Sequence, residues 1–364
     1  MWGSMRPETE TELSEMVAGA SGPLLVRGGG TRTLGHAVGE VMETGGLTGL
    51  ELYEPGALTL VVKAGTPVAE VDRVLAGERQ RLAFEPPDLR GLLGREGVST
   101  IGGVAATNAS GPRRVQAGAC RDALLGLRFV DGSGALVRNG GRVMKNVTGY
   151  DLVKLLAGSR GTLGVLTALS FKVQAIPEAE ATLVVEGLGD EAGLAALRAA
   201  LGSPFDVSGA ARHSGRSLIR VEGMPGSVAY RVGRLTALVG GEVTVTRGAA
   251  SATLWRQVRD VVPLQDRPGE VWRIATLPTA AADIVARLEA EAVWDWGGGL
   301  IWALTDRGRG AEVAAAVAGR GHATLVRGTG GPVFPPEPPE VAALVAGLRA
   351  KFDPRGLLNA GMMG

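Results

Sequence analysis

The alternation of apolar and polar positions divides the chain into short strands and amphipathic helices. In residues 8–20, Leu13, Met16, Val17 and Ala20 recur at helical spacing, which predicts a first helix ended by Gly22-Pro23. The apolar run at 24–27 predicts a strand leading into Gly28-Gly29-Gly30. Another run at 58–63 predicts a second strand. Thr66-Pro67 then reads as the N-cap and first position of a helix whose buried stripe is Val68, Val71, Val74 and Leu75. Further on, 124–130 and 135–138 flank Asp131-Gly132-Ser133-Gly134 as a hairpin would. A short helix at 150–157, ended by Gly158, and a long buried strand at 163–173 lead to Pro177, which marks a domain boundary.

Beyond Pro177 the pattern acquires a rhythm. Strand 181–187, helix 190–201, strand 205–211, strand 216–222, helix 226–239 and strand 242–246 give the order βαββαβ. After a helix near 250–261 the same order returns: strand 271–276, helix 279–290, strand 292–296, strand 300–304, helix 310–318, strand 322–326. Two copies of one unit, packed together, are expected here. The segment 328–340 reads as a linker, followed by a helix at 341–351 and the tail FDPRGLLNAGMMG.

Composition narrows the function classes. A length of 364 residues suggests two domains or more, and 45% hydrophobic with 21% charged residues describes an ordinary globular chain. A net charge of +1 argues against nucleic acid or an acidic membrane surface as partner. The single Cys120 excludes an internal disulfide or a cysteine-ligated cluster on this chain alone, and fits a reducing, cytoplasmic compartment. His36, His213 and His322 lack metal-ligand spacing. The polar, acidic N-terminus is not a signal peptide, and no apolar run is long enough for a membrane span.

The stretch Ser99–Gly118, STIGGVAATNASGPRRVQAG, is poor in side-chain bulk. Gly102, Gly103 and Gly111, with Ala105, Ala106 and Ala109, let backbone approach a ligand, and clustered amides attract phosphate. Thr107, Asn108 and Ser110 add neutral hydrogen-bonding arms. Arg113 and Arg114 add charge, for phosphate or for carboxylates. With LLVRGGGT at 24–31, this makes two glycine-rich cradles, suited to a ligand with more than one phosphate; tight turns are the alternative reading. Neither Gly-x-Gly-x-x-Gly nor Gly-x-x-x-x-Gly-Lys-Ser/Thr is present, which argues against a standard dinucleotide fold or a P-loop.

RGGGT, GGVAATNASGPRR, KNVTGYDLVKLLAGSRGTLGVLT and FDPRGLLNAG, in that order, resemble the FAD-linked oxidases of the vanillyl-alcohol-oxidase type, and among them the FAD-binding subunits of bacterial glycolate oxidase. The resemblance implies an α+β protein. A PCMH-type FAD-binding domain of two α/β subdomains would span 1–177, an α+β cap with ferredoxin-like βαββαβ units 178–330, and a linker, helix and tail returning to the FAD domain 331–364. It implies that Arg27, Gly28, Gly29, Gly30 and Thr31 hold the FAD pyrophosphate. Gly102, Gly103, Thr107, Asn108, Ser110 and Gly111 would line its other side and the flavin. Gly161, Gly164 and Val165 would approach by backbone, with Pro87 against the cofactor wall. It also implies a catalytic flavin subunit and an iron–sulfur subunit as partners.

Departures from the family pattern refine this. Relatives with a Gly-His-x-Gly-Asp-Gly-Asn-like motif have acids beside their histidines, whereas Gly321-His322-Ala323-Thr324 has none, so a general base for a 2-hydroxy acid is missing. Tyr150 and Lys145 fall beside the expected flavin pocket, as packing residues or catalytic ones. Trp294, Trp296 and Trp302 around Gly297-Gly298-Gly299 form a hairpin core or a partner-binding face. The rivals to a complex subunit are an autonomous FAD dehydrogenase of another substrate and a non-catalytic scaffold. Thr31 stands where some relatives attach flavin through histidine, so FAD is expected to bind without a covalent link. Acid precipitation of the purified chain should therefore release all flavin into the supernatant; flavin retained in the pellet contradicts this.

Overall fold

The computed structural model describes residues 5–142, 149–329 and 331–363. The first helix, Glu10–Gly19, begins where Thr9 accepts a hydrogen bond from the Glu12 amide at 3.1 Å, and it buries Leu13 and Val17. Strand Leu24–Arg27 pairs in parallel with Glu40–Glu43. A five-stranded antiparallel sheet follows in the order Leu50–Glu54, Thr59–Lys63, Val165–Lys172, Leu124–Val130, Leu136–Gly140. Its middle strand, VLTALSFK, is buried on both faces up to its last residue, which is why it reads as one apolar run. Phe171 from this strand stacks on Phe84 at 5.8 Å within the core.

Local readings changed in three places. Strands Glu40–Glu43 and Leu50–Glu54 lie where no element was expected; they are too short for a clear periodicity and form because their backbones find partners. Thr66 does not cap the helix Val68–Gly77. Its fully buried hydroxyl instead accepts from the Gly49 amide at 2.9 Å, and Pro67 takes the cap position without a side-chain bond. The helix expected at 150–157 is Leu152–Leu156, capped by Asp151. Tyr150 is 89% exposed, and Lys145 lies outside the described residues.

The second half is one eight-stranded sheet made of two βαββαβ units. Its order is Glu242–Arg247, Ala179–Glu186, Arg216–Gly223, Val207–His213, Glu291–Asp295, Leu300–Thr305, Glu270–Thr276, Gly321–Arg327. Each unit has the strand order of a split βαβ plan, and the two join through their second strands, where Arg212 pairs with Trp294. Helices Asp190–Leu201, Pro225–Val239, Ala281–Leu288 and Gly310–Val317 pack into a core cluster on one face. Helix Gly248–Arg259 and Leu264 close the other with Leu92, so Val207–His213 and Leu300–Thr305 are buried throughout. Trp294 and Trp302 are each 5% exposed within these cores, which removes them as a partner-binding face.

The two halves meet through buried charges. Arg113 from the first half holds Glu222 of the cap at 2.5 Å and Glu85 at 2.7 Å. Arg220 from the cap grips Glu85 bidentately at 2.9 and 2.8 Å and lies 4.4 Å from the Trp255 ring centroid. Arg81 adds a 2.9 Å bond to Glu222. Burial alone would raise the Glu222 carboxyl, but Arg113, Arg220 and Arg81 hold it far below the ordinary range. Arg113 thus falls to carboxylates, the second of its two sequence readings. Breaking a buried pair leaves an uncompensated charge and costs about 3–5 kcal/mol. Arg113→Met should lower the unfolding free energy extrapolated from urea titration at pH 7 by that amount, and a loss below about 1 kcal/mol would mean that the network is not holding the halves together.

Candidate functional site

A cleft opens at the end of strand Leu24–Arg27. The strand is set in place by the C-terminal tail. Leu24 donates to the Leu357 carbonyl at 2.8 Å, and Asn359 accepts from the Val26 amide at 2.7 Å while donating to the Arg160 carbonyl at 2.8 Å. Arg355 ties this tail to the carbonyls of Val17 and Ala18 at the end of the first helix. The loop after the strand packs hard against residues 98–100. A Cβ on Gly28 would lie 2.3 Å from Thr100 Oγ1, and one on Gly29 only 1.6 Å from the Val98 carbonyl oxygen. Only glycine fits there. The amides from Gly28 to Thr33 donate to no acceptor among the described residues.

Arg32 was not singled out in the sequence, although a lone charge after RGGGT was the signal. Its Nη2 donates to the Pro87 carbonyl and, at 3.0 Å, to Ser99, while its Nε and Nη1 are buried without any partner. Burial brings its guanidinium down to about 10, against the pull of Asp88 and Asp260, so it stays charged at neutral pH. Free amides and an orphaned cation on one cleft wall are what a pyrophosphate requires.

The opposite wall departs from expectation. Residues 101–106 form a helix, Ile101–Ala106, capped by Thr100. Its leading amides are already engaged, Gly102 with the Ala64 carbonyl at 2.7 Å and Gly103 with Thr100 Oγ1 at 3.2 Å. This wall therefore offers a close surface rather than donors. Gly103 faces open space apart from Thr100, and Thr107 turns its hydroxyl to the Gly103 carbonyl. Gly161 and Gly164 complete the lining beside Arg160 and Met362.

Five expected residues do not line the cleft. Pro87 touches it only through its bond to Arg32. Asn108 accepts from the Arg121 amide and Ser110 from the Cys120 amide, so both shape the chain instead. Gly111 accepts from Trp296 Nε1 at 3.1 Å, and Val165 is fully buried in the core. Arg27, which does line it, is paired with Glu43 at 2.6 Å.

Next to the cleft lies a second group. Trp296 has φ +53°, which is rare for a bulky residue, and is held so by Asp295 accepting from its amide at 2.7 Å. Arg114 stands 4.5 Å and Arg273 5.5 Å from its ring centroid, and Arg160 stands 4.9 Å from that of Phe334. Burial lowers Arg160 and Arg273 to about 10, the latter also through Arg114 and Arg160. Partial desolvation of the exposed His322, followed by the Arg273 charge, keeps its imidazole below its usual range.

Fold and cleft define an FAD-binding protein. A family model described as an FAD binding domain matches residues 3–140. The glycolate oxidase subunit GlcE of Escherichia coli (strain K12) is 35% identical over 345 residues, covering 94% of this chain and 92% of that protein. The chain therefore belongs to the GlcE family of FAD-linked oxidoreductases. The glycolate oxidase subunit GlcD of Bacillus subtilis is 37% identical over 170 residues, 44% of this chain and 34% of that one. The D-lactate dehydrogenase of Archaeoglobus fulgidus is 35% identical over 176 residues, 46% of this chain and 38% of its own. A solved alkyldihydroxyacetonephosphate synthase superposes with a TM-score of 0.69 over 97% of this chain and 75% of its own, at 15% identity, and shares the fold. No helix among the described residues is long and apolar enough to cross a membrane.

Asp295 provides a test of the wall beneath Trp296. Burial raises its carboxyl from 3.8 to about 7. A raised acid is more easily kept neutral in the folded state, so its stabilising effect is complete below about pH 4 and is lost as pH rises towards 7, at about 1.4 kcal/mol per unit. Asp295→Asn keeps the acceptor for Trp296, so its urea midpoint should fall less than the wild-type midpoint between pH 5 and pH 8. Parallel pH profiles would show that Asp295 is ionised throughout.

Proposed function

We propose that this chain is the FAD-binding subunit of a glycolate, or 2-hydroxyacid, oxidase complex. The observation that carries the reading is the cleft in which the free amides of Gly28 to Thr33 face the same space as the orphaned Arg32. In this reading the loop and Arg32 hold the pyrophosphate of a non-covalent FAD. Arg27 stays with Glu43 and steers charge from the rim. Gly102, Gly103 and Thr107 let the cofactor lie flat against the helix Ile101–Ala106, with Gly161 and Gly164 on the third side. FAD, when bound, supplies two-electron acceptor chemistry. The chain itself binds, orients and shields it between an FAD-binding unit over 1–177, a cap over 178–330, and a linker, helix and tail over 331–364.

Electrons must then leave the chain. Its one cysteine, Cys120, is buried, and no cluster of His, Cys, Asp and Glu able to hold a metal occurs among the described residues. A catalytic flavin subunit and an iron–sulfur subunit are the partners this requires, in the cytoplasm, with any membrane contact made through them. Helix Pro339–Phe352 buries none of its residues and leaves Leu344 71% exposed, which suits such an assembly. The deciding experiment is anaerobic addition of glycolate or D-lactate to the FAD-loaded chain. Little bleaching of the flavin is expected with the chain alone, since a missing base costs roughly 10²–10⁴ in rate, and full bleaching with partners present. Complete bleaching of the lone chain within seconds overturns the dependence on partners.

The cofactor placement has its own test. Arg32→Met removes charge-assisted donors worth about 1.5–3 kcal/mol, so FAD affinity should drop roughly ten- to hundredfold in a titration of the apoprotein. Gly103→Asp meets a single tight contact, Thr100 Oγ1 at 3.2 Å from the new Cβ, and its carboxylate should also repel the cofactor. Affinities unchanged within a few fold place the pyrophosphate elsewhere.

A further inference from the structure

We propose that the helix Pro339–Phe352 is the contact through which two copies of this chain pair, antiparallel and about a two-fold axis near Leu344. The proposal goes beyond the subunit reading above. It adds a second copy of the chain itself to the complex that forms.

The helix is built to be covered. Of its 14 residues only Glu340, Arg349 and Lys351 carry polar side chains, and a helix apolar on nearly every side normally lies inside a protein. Yet it buries none of them. Val341 is 43%, Leu344 71% and Leu348 38% exposed. The cap shows what nearly the same sequence does when it is covered. Glu-Val-Ala-Ala-Ala-Val-Ala-Gly at 312–319 and Glu-Val-Ala-Ala-Leu-Val-Ala-Gly at 340–347 differ at one position. In the first tract Val313, Ala316 and Val317 are buried in the core cluster of the cap. Their counterparts in the second are Val341, Leu344 and Val345, and the one replacement, Leu344 for Ala316, enlarges the apolar face. A face of the core type thus stands without a core.

Length and charge decide what covers it. A helix of 14 residues is too short to span a bilayer. A helix lying on a membrane surface is rich in cations along its polar face, whereas this one balances Glu340 against Lys351. The stripe Val341, Leu344, Val345 and Leu348 has spacings of three, one and three residues, which read the same in both chain directions. Glu340 and Lys351 are 11 residues apart, three turns of helix, so both stand on one flank of that stripe. When two such helices pair antiparallel, Val341 of each copy meets Leu348 of the other and the two Leu344 side chains lie at the axis. Glu340 of each copy then comes to Lys351 of the other, and the helix dipoles run head to tail. Such self-complementarity is what an isologous interface requires.

The helix, about 21 Å long and about 10 Å wide, covers on the order of 200–300 Å² per copy, short of the roughly 800 Å² of a standard interface. The exposed Pro335, Pro336 and Pro338, which share a groove with Val341, extend the patch. The pairing is therefore of the weak, reversible kind.

Sedimentation velocity on the whole chain, from about 1 to 100 µM, is expected to show a reversible monomer–dimer equilibrium. Leu344→Glu sets two carboxylates against each other at the axis and should weaken the dimer roughly tenfold or more. The site is exposed, so the melting temperature of the variant should stay at the wild-type value. Glu340→Lys and Lys351→Glu should each weaken the dimer, and the double variant should recover most of the loss. Leu344→Cys should form a disulfide between copies under mild oxidation. Val341→Cys should not, because antiparallel pairing holds the two positions roughly 10 Å apart along the helix. The native Cys120 is buried and takes no part. A monomer at every concentration, a dimer indifferent to Leu344→Glu, or faster cross-linking through Val341→Cys than through Leu344→Cys overturns the proposal. A chain that stays monomeric alone, and that Leu344→Glu releases from a flavin subunit, overturns it too, since the helix would then belong to that partner. None of these readouts involves flavin or turnover, so their failure leaves the FAD-binding reading intact.

Discussion

The interlocked ion network of Glu85, Arg113, Arg220 and Glu222 is the constraint on which the rest of this structure depends. Each half of the molecule supplies one arginine and one glutamate, and each arginine holds the other half's glutamate. The halves are thereby fixed in position and in rotation, because bidentate forks tolerate little misalignment. Everything placed at their junction inherits that rigidity: the bond from Trp296 to Gly111, the Asp88 amide on Asp260, and the arginines around the indole. Such a network confers position more than stability, since desolvating its four charges offsets much of their attraction.

Within the first half, the chain's two ends cooperate to build one loop. The tail lays Leu357–Asn359 along strand Leu24–Arg27, and Asn359 satisfies the Val26 amide and carbonyl together. The strand's end is then rigid, and the loop after it is pressed so closely on residues 98–100 that side chains are excluded. What remains available is its backbone amides. A cofactor with a doubly charged centre and a long flat body is matched by such a wall facing a helix of small residues.

The cap shows how duplication yields a new junction. Two βαββαβ units place their second strands side by side, and the loop that leaves the second of these carries Asp295 and Trp296. The cost of a left-handed tryptophan is met by fixed bonds on both its amide and its indole nitrogen. A feature of one repeat thus becomes the point where the cap reaches the cofactor unit.

Much was legible from the sequence itself. Periodicity located both βαββαβ units, because their strands and helices each bury one or both faces against a shared core, and that pattern is local. The order of four motifs identified the cofactor class, because glycines that permit close approach are irreplaceable and so remain visible. Tertiary structure alone decided what those motifs do. Gly102 and Gly103 read as free amides, yet the Ala64 carbonyl and the Thr100 hydroxyl take them. Asn108 and Ser110 read as ligand arms, yet they face the backbone of 120–121. Arg32, Arg114, Arg160 and Arg273 look alike in a sequence rich in arginine. Only the packing shows which arginines meet a carboxylate and which are left without one, because a charge's role is set by its neighbours in space and not by those along the chain.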